Sequence, residues 1–305
     1  MNYIDGIIFL IVLFVYIHVN YHLKTSSDLE IYTMDTLLKD KLEEICNIKQ
    51  PLKFKYTDIN TKLFNDKLIS KQFGGKLKIR NLNSKDKEYQ PYLPFDSQEA
   101  INIIKNDKKS QFISKNNFEF VKQNKFDECF HDLKTFVKPP MTIQTTEDIH
   151  IGSPGSTTTL GYNLDYRNFY YVSSGKITLK LIPPENSKYL NEVKNYDNFD
   201  FHSKINPWDV SDKDTAAFEN VTHMDIVLFP GDIIFIPAYW WYSIKYEEFS
   251  HIYTIKHRTF MNGVAITPDI LMYYLQNQNI TYKISDTVKD IKINDSKTNE
   301  LPHNK

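Results

Sequence analysis

The sequence is poor in glycine and cysteine. Its 305 residues contain nine glycines and two cysteines, Cys46 and Cys129. No GxGxxG, GxxxxGKS or GxxxxGKT pattern occurs, so the sequence has no candidate for the glycine-rich loops that hold nucleotide phosphates. No CxxC pair occurs either, which excludes a thiolate zinc site and a disulfide scaffold.

The sequence also lacks an excess of charge of one sign. Lys and Arg number 37 and Asp and Glu number 38, which gives a formal net charge of -1 at pH 7. This balance provides no basic field for a nucleic-acid backbone, so we expect no nucleic-acid partner. No G-x-S-x-G pattern occurs, which removes the usual nucleophile of α/β-hydrolases. The 41% hydrophobic and 25% charged residues are typical of a folded chain of one or two domains.

One uncharged apolar run stands at the amino end. Residues Ile7–Val19 carry no charged side chain, and with its apolar flanks the run reaches about 17–19 residues, close to the length of a membrane-spanning helix. No basic stretch precedes it and no small-residue cleavage site follows it, which disfavours a signal peptide. A buried amphipathic helix would need polar positions that the run lacks. We therefore predict a single transmembrane anchor over residues 1–23, and Lys24 after the run favours a cytosolic body.

Residues 24–134 are predicted to form an α/β extension. Apolar spacing, capping residues and prolines indicate its elements. In chain order these are a polar linker at Thr25–Glu30, a short strand at Ile31–Tyr32, a helix over Asp35–Asn47 capped by Asp35, strands at Leu52–Tyr56 and Lys76–Ile79, a helix over Ser97–Lys105 opened by Asp96, and mixed strand and loop signals at Phe112–Val121.

From Met141 onward the pattern changes to short apolar runs separated by turn residues. Seven runs are predicted strands: Ile149–Gly152, Phe169–Val172, Ile177–Ile182, Met224–Phe229, Ile233–Pro237, Tyr242–Tyr246 and His251–His257. Their number and spacing predict a mainly β fold, an antiparallel sandwich or barrel over residues 135–262. A C-terminal helix is expected within 263–284, centred on Thr267–Gln276, and a flexible tail over 285–305.

Two segments of the β region are specific. The first, Ile151–Pro184, contains Asn168 and ends in Pro183–Pro184, and the second, Phe229–Lys245, reads FPGDIIFIPAYWWYSIK. In order and spacing they resemble the cupin-like branch of the JmjC superfamily, close to the asparaginyl-hydroxylase type of 2-oxoglutarate dioxygenase. The resemblance covers Thr135–Phe260 and implies a double-stranded β-helix, the jelly roll. The Tyr- and Phe-rich composition is also similar to that of members from large DNA viruses with AT-rich genomes, which makes a virus-encoded protein an expectation.

The resemblance implies an iron site at three positions. In the family, two His and one carboxylate hold Fe(II). The first His position is Gly161, the carboxylate position is Asn163 and the second His position is Tyr242. Glycine has no side chain, asparagine lacks the charge, and a protonated phenol, with a pKa of about 10, is a poor ligand for Fe(II). We therefore expect no cofactor and a catalytically inactive site.

The resemblance also implies a 2-oxoglutarate site, and one of its two expected residues is different in this sequence. Thr158 stands where the family has a threonine that contacts the co-substrate carboxylate, although it also fits an ordinary β-branched strand residue. The lysine expected two residues after Gly175 is Ile177. Lys176 is adjacent, but a shift of one residue in a strand points a side chain to the opposite face.

Histidines elsewhere are the candidates for a rebuilt metal site. His150 precedes the first segment, and His251 and His257 lie six residues apart, on one face of a regular strand. Each also fits a surface or hydrogen-bonded histidine in a Tyr-rich sheet. Asp165 and Asp225 fit ordinary loop carboxylates.

Three functions remain open. The first is a membrane-anchored, inactive binding or structural module whose partner is a protein or a small polar ligand. The second is an active Fe(II)- and 2-oxoglutarate-dependent protein hydroxylase with a rearranged site, and the third is a metal-free cupin for a sugar or another small polar ligand. The candidate pocket consists of Thr158, Gly161, Tyr162, Asn163, Asn168, Trp240, Tyr242, His150 and His257. The family's dimerising C-terminal helices are only partly represented, so the oligomeric state stays open.

Overall fold

The computed structural model describes residues 3–35, 38–56, 64, 74–82 and 92–278. Its α-helices are α1 (Tyr3–Leu23), α2 (Lys39–Ile48), α3 (Ser97–Lys105), α4 (Phe118–Gln123), α5 (His131–Val137), α6 (Asp212–Phe218) and α7 (Phe260–Ala265). Helical residues continue over 267–278, and 3-10 helices span Phe126–Phe130 and Pro184–Tyr189. The predicted tail, and residues 279–284 of the predicted C-terminal helix, lie outside the described residues.

The described strands form two sheets. The nine-stranded sheet has the order β1 (Tyr32–Met34), β2 (Leu52–Lys55), β13 (Asp232–Pro237), β8 (Arg167–Ser174), β15 (Ser250–Thr259), β6 (Thr142–Gly152), β5 (Phe112–Ser114), β3 (Lys76–Asn81) and β4 (Leu93–Asp96). The six-stranded sheet has the order β10 (Glu192–Asn195), β11 (Asp200–Ser203), β7 (Gly161–Tyr162), β14 (Trp241–Tyr246), β9 (Ile177–Ile182) and β12 (Met224–Leu228). Only β1 and β2 pair in parallel among the described strands; the other neighbours are antiparallel.

Apolar side chains from alternate residues of both sheets meet in one core. Tyr170, Ile234 and Ile252 of the nine-stranded sheet pack with Leu179 and Ile244 of the six-stranded sheet. Successive side chains of a strand point to opposite faces, so every second residue of these strands belongs to this core. Any polar group placed between the sheets therefore needs a hydrogen-bond partner there.

The other face of the nine-stranded sheet is covered by the helices of the amino-terminal extension. Tyr171 of β8 and Tyr253 of β15 belong to a second core together with Leu42 of α2 and Phe130. The ring of Phe130 stacks on that of Tyr253 with their centroids 3.7 Å apart. The central strands β8, β13 and β15 are consequently buried on both faces.

The structure confirms the seven predicted strands and most of the extension. Six of the seven runs lie wholly within β6, β8, β9, β13, β14 or β15, and Met224–Phe229 exceeds β12 by one residue, Phe229. The helix predicted at Ser97–Lys105 is α3, and Asp96 caps it by accepting a hydrogen bond from the backbone N of Gln98 at 3.0 Å. The predicted cap at Asp35 is wrong. That residue lies in a bend directly after β1, and α2 begins only at Lys39.

Helix α1 exposes its apolar side chains along its length. It has 21 residues, its mean hydropathy is 2.0 over the most apolar window, and it is long and apolar enough to cross a membrane. At its carboxyl end the ammonium of Lys49 donates hydrogen bonds to the carbonyls of Tyr21 at 2.5 Å, His22 at 3.2 Å and Lys24. The last carbonyls of a helix have no partner within it. Lys49, the residue that follows α2, therefore caps the end of α1 and links the two helices.

Candidate functional site

Strands β7 and β14 place two of the predicted ligand positions opposite each other. Gly161 of β7 is the cross-strand partner of Tyr242 of β14. Asn163 lies two residues beyond Gly161, and its Nδ2 donates a hydrogen bond to the phenol oxygen of Tyr242 at 3.2 Å. The structure therefore brings together the three positions that the sequence pattern singled out.

Four side chains, which we term the polar cluster, form a chain of hydrogen bonds between the sheets: Asn163, Tyr170, Tyr242 and Lys256. The ammonium of Lys256 donates to Oδ1 of Asn163 at 2.8 Å, and Nδ2 of Asn163 donates to the phenol oxygen of Tyr170 at 2.8 Å. Tyr170 in turn donates to Tyr242 at 2.8 Å. Tyr242 accepts from both Tyr170 and Asn163, so it stands at the acceptor end of the polar cluster.

The phenol of Tyr242 lies near two positive charges. Burial alone would raise the pKa of Tyr242, but the ammonium groups of Lys115 and Lys256 and the hydrogen bonds from Tyr170 and Asn163 outweigh burial, so this pKa lies below its ordinary value. Burial and the neighbouring Tyr242 raise the pKa of Tyr170 well above its ordinary value. The two phenols thus differ in acidity: Tyr242 is the more acidic and Tyr170 keeps its proton.

A cavity of about 240 Å³ opens beside the polar cluster. Its walls include Tyr162, Asn163, Asp165, Phe199, Lys256 and Arg258. Lys256 and Arg258 are alternate residues of β15, so both project from the face of that strand that points toward the six-stranded sheet. The cavity is therefore lined by two residues of the polar cluster, Asn163 and Lys256, and by residues outside that cluster.

The cavity walls carry one uncompensated positive charge. Arg258 is paired with Asp165, whose Oδ1 lies 2.8 Å from Nη2 and 2.9 Å from Nε of the guanidinium. The ammonium of Lys256 bonds to the neutral amide of Asn163 and has no carboxylate partner among the described residues. Tyr162 provides an aromatic wall, with its ring stacked on that of Phe201 at 5.4 Å. The arrangement suits a small ligand that carries negative charge.

A comparison with known protein families matches residues 54–264 to the cupin-like domain. The match covers more than half of the chain. The chain belongs to the cupin-like domain family. The matched region begins within β2, so this cupin-like domain includes strands and helices of the amino-terminal extension as well as the strands around the cavity.

The residues at the predicted ligand positions of this cupin-like domain do not fit an Fe(II) ion. Gly161 offers no donor, and a Cβ added there would lie only 2.7 Å from the carbonyl oxygen of Phe201 in β11. Asn163 and Tyr242 offer a neutral amide and a phenol that hydrogen-bond to each other, whereas Fe(II) sites of this kind use imidazole and carboxylate. Among the described residues, no group of three or more His, Cys, Asp or Glu side chains is arranged to hold a metal.

Thr158 and Asn168 bind the backbone of this cupin-like domain. Oγ1 of Thr158 accepts a hydrogen bond from the backbone N of Ile244 at 2.9 Å. Nδ2 of Asn168 donates to the carbonyls of Asp165 at 2.9 Å and Ile236 at 3.2 Å. Both side chains are buried and lie outside the walls of the cavity. Their hydrogen bonds hold the chain on either side of β7 in place.

Trp240 and Ile177 fill the core between the sheets. The Trp240 side chain is fully buried, and its Nε1 has no hydrogen-bond partner within the described part of the chain. Ile177 begins β9 and packs in the same core. An apolar side chain thus takes the inward position at which the resemblance implies a lysine.

His150 faces the space between the sheets but lies outside the polar cluster. Its Nε2 is 3.1 Å from Oδ2 of Asp148, and its Nδ1 has no hydrogen-bond partner among the residues described. Burial lowers the pKa of His150 to about 4, although Asp148 opposes this effect. The imidazole is therefore neutral near pH 7.

His257 lies on the opposite face of β15 from Lys256. Its Nδ1 is 3.0 Å from Oγ1 of Thr145, and its cross-strand partner Arg167 is paired with Glu43 of α2. The structure therefore separates His257 from the other predicted pocket residues and buries it beneath the helices. The reason is the alternation of side chains along β15: Lys256 faces the six-stranded sheet, so the adjacent His257 faces the helices.

Sequence reasoning missed Lys256 and Arg258 as site residues. Lys256 falls within the predicted strand His251–His257, where a period of two residues places it on the same face as Ile252. Lysine is rarely buried in a strand core unless it has a partner. A lysine on the same face of a predicted strand as Ile252 was the available signal for this site, but the sequence pattern did not show which face points inward.

Proposed function

We propose that this chain is a membrane-anchored, metal-free cupin-like protein that binds a small polar ligand in the cavity beside the polar cluster. Its strands would form the double-stranded β-helix of cupins. The chain would be related to asparaginyl hydroxylases and to cupin-like proteins of large DNA viruses. The observation that carries it is the set of contacts at Asn163, whose amide bonds to Tyr170, Tyr242 and Lys256.

The polar cluster argues against a dioxygenase. In the resembling enzymes a metal cation holds the side chains of this site together. In this chain the ammonium of Lys256 supplies the positive charge and Asn163 accepts its hydrogen bond. The inward Ile177 also removes the charge partner that a dicarboxylate co-substrate would need. Both requirements of the hydroxylase alternative are therefore unmet at the expected positions.

The cavity argues for ligand binding over a purely structural module. Trp240 and Tyr242 fill the inner end of the site, with 0% and 6% of their surfaces exposed. Tyr162, Asn163 and Lys256 line open space at the outer end. A filled core would have favoured a scaffold, whereas this arrangement combines a packed interior with a polar mouth. Concave sites with a few convergent polar groups are typical ligand sites.

Helix α1 supports the membrane anchor. A helix of 21 residues is about 30 Å long, which matches the hydrocarbon core of a bilayer. The large apolar side chains from Ile7 to Ile17 are 38–65% exposed. Contact with lipid would remove this apolar surface from water.

The test is Fe(II) binding by the full chain in phosphatidylcholine nanodiscs. Protein incubated with Fe(II) under anaerobic conditions is desalted, its metal content is measured by mass spectrometry, and succinate formation from 2-oxoglutarate is assayed. We expect iron far below one ion per chain and succinate at the level of the protein-free control. One bound iron per chain, or 2-oxoglutarate turnover that Tyr242→Phe abolishes, would overturn the metal-free function.

A further inference from the structure

One short segment, residues 163–166, joins the cavity to the end of α1. Asn163 and Asp165 line the cavity. The ring of Tyr166 lies edge-on to the ring of His22 in α1, with their centroids 4.9 Å apart. The phenol of Tyr166 also donates a hydrogen bond to Oδ1 of Asn47 at 3.0 Å. One side of this segment therefore faces the cavity and the other holds α1.

Helix α7 forms a second connection between the cavity and α1. It begins two residues after the cavity residue Arg258, and α1 lies against it. Nδ2 of Asn262 in α7 donates to the carbonyl of Leu164 at 3.1 Å. The cavity thus lies at the same end of the domain as the point where α1 leaves it.

An exposed apolar surface flanks the cavity at this end. The helical residues 267–278 pack inward through Tyr273, whose ring lies 5.6 Å from that of the cavity residue Phe199. On the outward side, Leu271, Met272 and Leu275 are exposed. Contact with lipid would remove this apolar surface beside the cavity from water.

The chemistry of the cavity selects a small anion. The ammonium of Lys256 and the guanidinium of Arg258 stand two residues apart on β15, and Asp165 compensates only one of these charges. Ammonium and guanidinium groups recognise phosphate through charge-assisted hydrogen bonds. A volume of about 240 Å³ is below the range of drug-sized ligands, so the cavity fits a headgroup rather than a whole lipid.

We propose that the cavity binds the phosphate-bearing headgroup of an anionic lipid in the bilayer that α1 enters. This inference rests on the membrane anchoring in the proposed function and adds the class of ligand and its source. The anchor holds the cavity mouth beside the headgroups, which raises their effective concentration at the site. Lys256 would contact the phosphate, and the pair of Arg258 with Asp165 would form the opposite wall.

The experiment uses the full chain in nanodiscs of phosphatidylcholine with increasing fractions of phosphatidic acid. Hydrogen–deuterium exchange of residues 161–166 and 196–201 reports occupancy of the cavity. A parallel titration adds inorganic phosphate to protein in nanodiscs that contain phosphatidylcholine alone. We expect protection that saturates with the phosphatidic acid fraction and little protection from inorganic phosphate.

Three variants make the result specific. Lys256→Gln should raise the phosphatidic acid fraction for half-maximal protection by at least about tenfold, as expected for the loss of one charge-assisted hydrogen bond. Lys213→Gln removes the same charge from the exposed helix α6 and should leave the titration unchanged. Gln144→Trp retains the cavity cations and fills the mouth of the cavity, so it should abolish protection without lowering the thermal midpoint.

Each contrary outcome has its own meaning. Equal protection by phosphatidic acid in Lys256→Gln and Lys213→Gln would overturn the cavity as the binding site. Equal protection by inorganic phosphate and by phosphatidic acid would assign a free anion and overturn the lipid source. A mature chain found to lack residues 1–23 would overturn the membrane anchor and, with it, the lipid source of the ligand. None of these readouts depends on iron, so they are separate from the test of the metal-free function.

Discussion

The phenol oxygens of Tyr170 and Tyr242 lie 2.8 Å apart between the two sheets, and Tyr170 donates this hydrogen bond. Asn163 donates a second one to Tyr242. Tyr242→Phe would leave both donors without their buried acceptor, so we expect the free energy of unfolding to fall by about 1–3 kcal/mol. Urea denaturation followed by circular dichroism measures this loss. Tyr274→Phe, at an exposed position, is the matched control, and equal losses in both variants would contradict the role of the polar cluster.

The acidity of Tyr242 can be read directly in an alkaline titration. Burial raises its pKa, but Lys115, Lys256 and the two hydrogen bonds bring it below the ordinary value. Tyrosinate absorbance should therefore show one phenol that ionises early, and Tyr242→Phe should remove it. Lys256→Gln should shift it to higher pH. A wild-type curve without this early phase would contradict the electrostatic description.

Acid should destabilise the protein through its buried histidines. Burial lowers the pKa values of His150 and His251 to about 4 and that of His257 to about 3, against 6.5 for an exposed histidine. Between about pH 6.5 and 4 the unfolded chain binds protons that the folded chain does not, so stability falls as pH falls. At about 1.4 kcal/mol per pKa unit, His150 and His251 each contribute on the order of 3 kcal/mol at most, and His257 contributes on the order of 5 kcal/mol at most.

Replacing one of these histidines tests the effect. His251→Phe should flatten the dependence of unfolding free energy on pH in the acid range. Between about pH 7 and 8 the same variant should run parallel to the wild type, because histidines are then neutral in both states. Identical acid slopes for the two proteins would show that His251 takes up its proton while folded.

The position of Gly161 should tolerate no side chain. A Cβ there would approach the carbonyl oxygen of Phe201 to 2.7 Å, so Gly161→Ala should cost about 1–3 kcal/mol of stability. Gly74 has nothing within 4 Å of an added Cβ, and Gly74→Ala should change stability by no more than about 0.5–1 kcal/mol. Thermal unfolding of both variants measures the two changes. An unchanged stability of Gly161→Ala would show that β11 shifts to accommodate the added Cβ at little cost.

The end of α1 should loosen when its cap is removed. Lys49→Met deletes the donor to the carbonyls of Tyr21, His22 and Lys24. We expect faster hydrogen–deuterium exchange in residues 18–25, because the helix then frays. Lys41→Met removes an exposed lysine of α2 that pairs only with Glu44 among the described residues, and exchange there should not change. Unaltered exchange in Lys49→Met would show that other contacts hold α1.

The sequence predicted the elements with strong apolar alternation and missed those without it. Ile177–Ile182 was predicted with the bounds of β9, since its apolar residues alternate and turns flank it. β10 and β11 read EVKN and DFHS, which are polar and only four residues long. Their strand structure comes from pairing with neighbours, which a single-sequence pattern does not contain.

The same limit explains which site residues were found. The positions of Gly161, Asn163 and Tyr242 were found by spacing, because the two motif segments keep their order. The face of β15 was not, since this strand is almost entirely buried and a strand buried on both sides shows no alternation. His257, a predicted pocket residue, therefore lies beneath the helices, whereas Lys256, which was not predicted, lines the cavity.

The contact between β7 and β11 has a consequence for the substitutions that this site accepts. Where Gly161 stands, the space for a side chain is held by main chain, at the carbonyl of Phe201. A single substitution that places an imidazole at this position must separate the paired strands β7 and β11, which costs stability. A histidine at this position is therefore not accommodated by one substitution alone, whatever residues stand at positions 163 and 242.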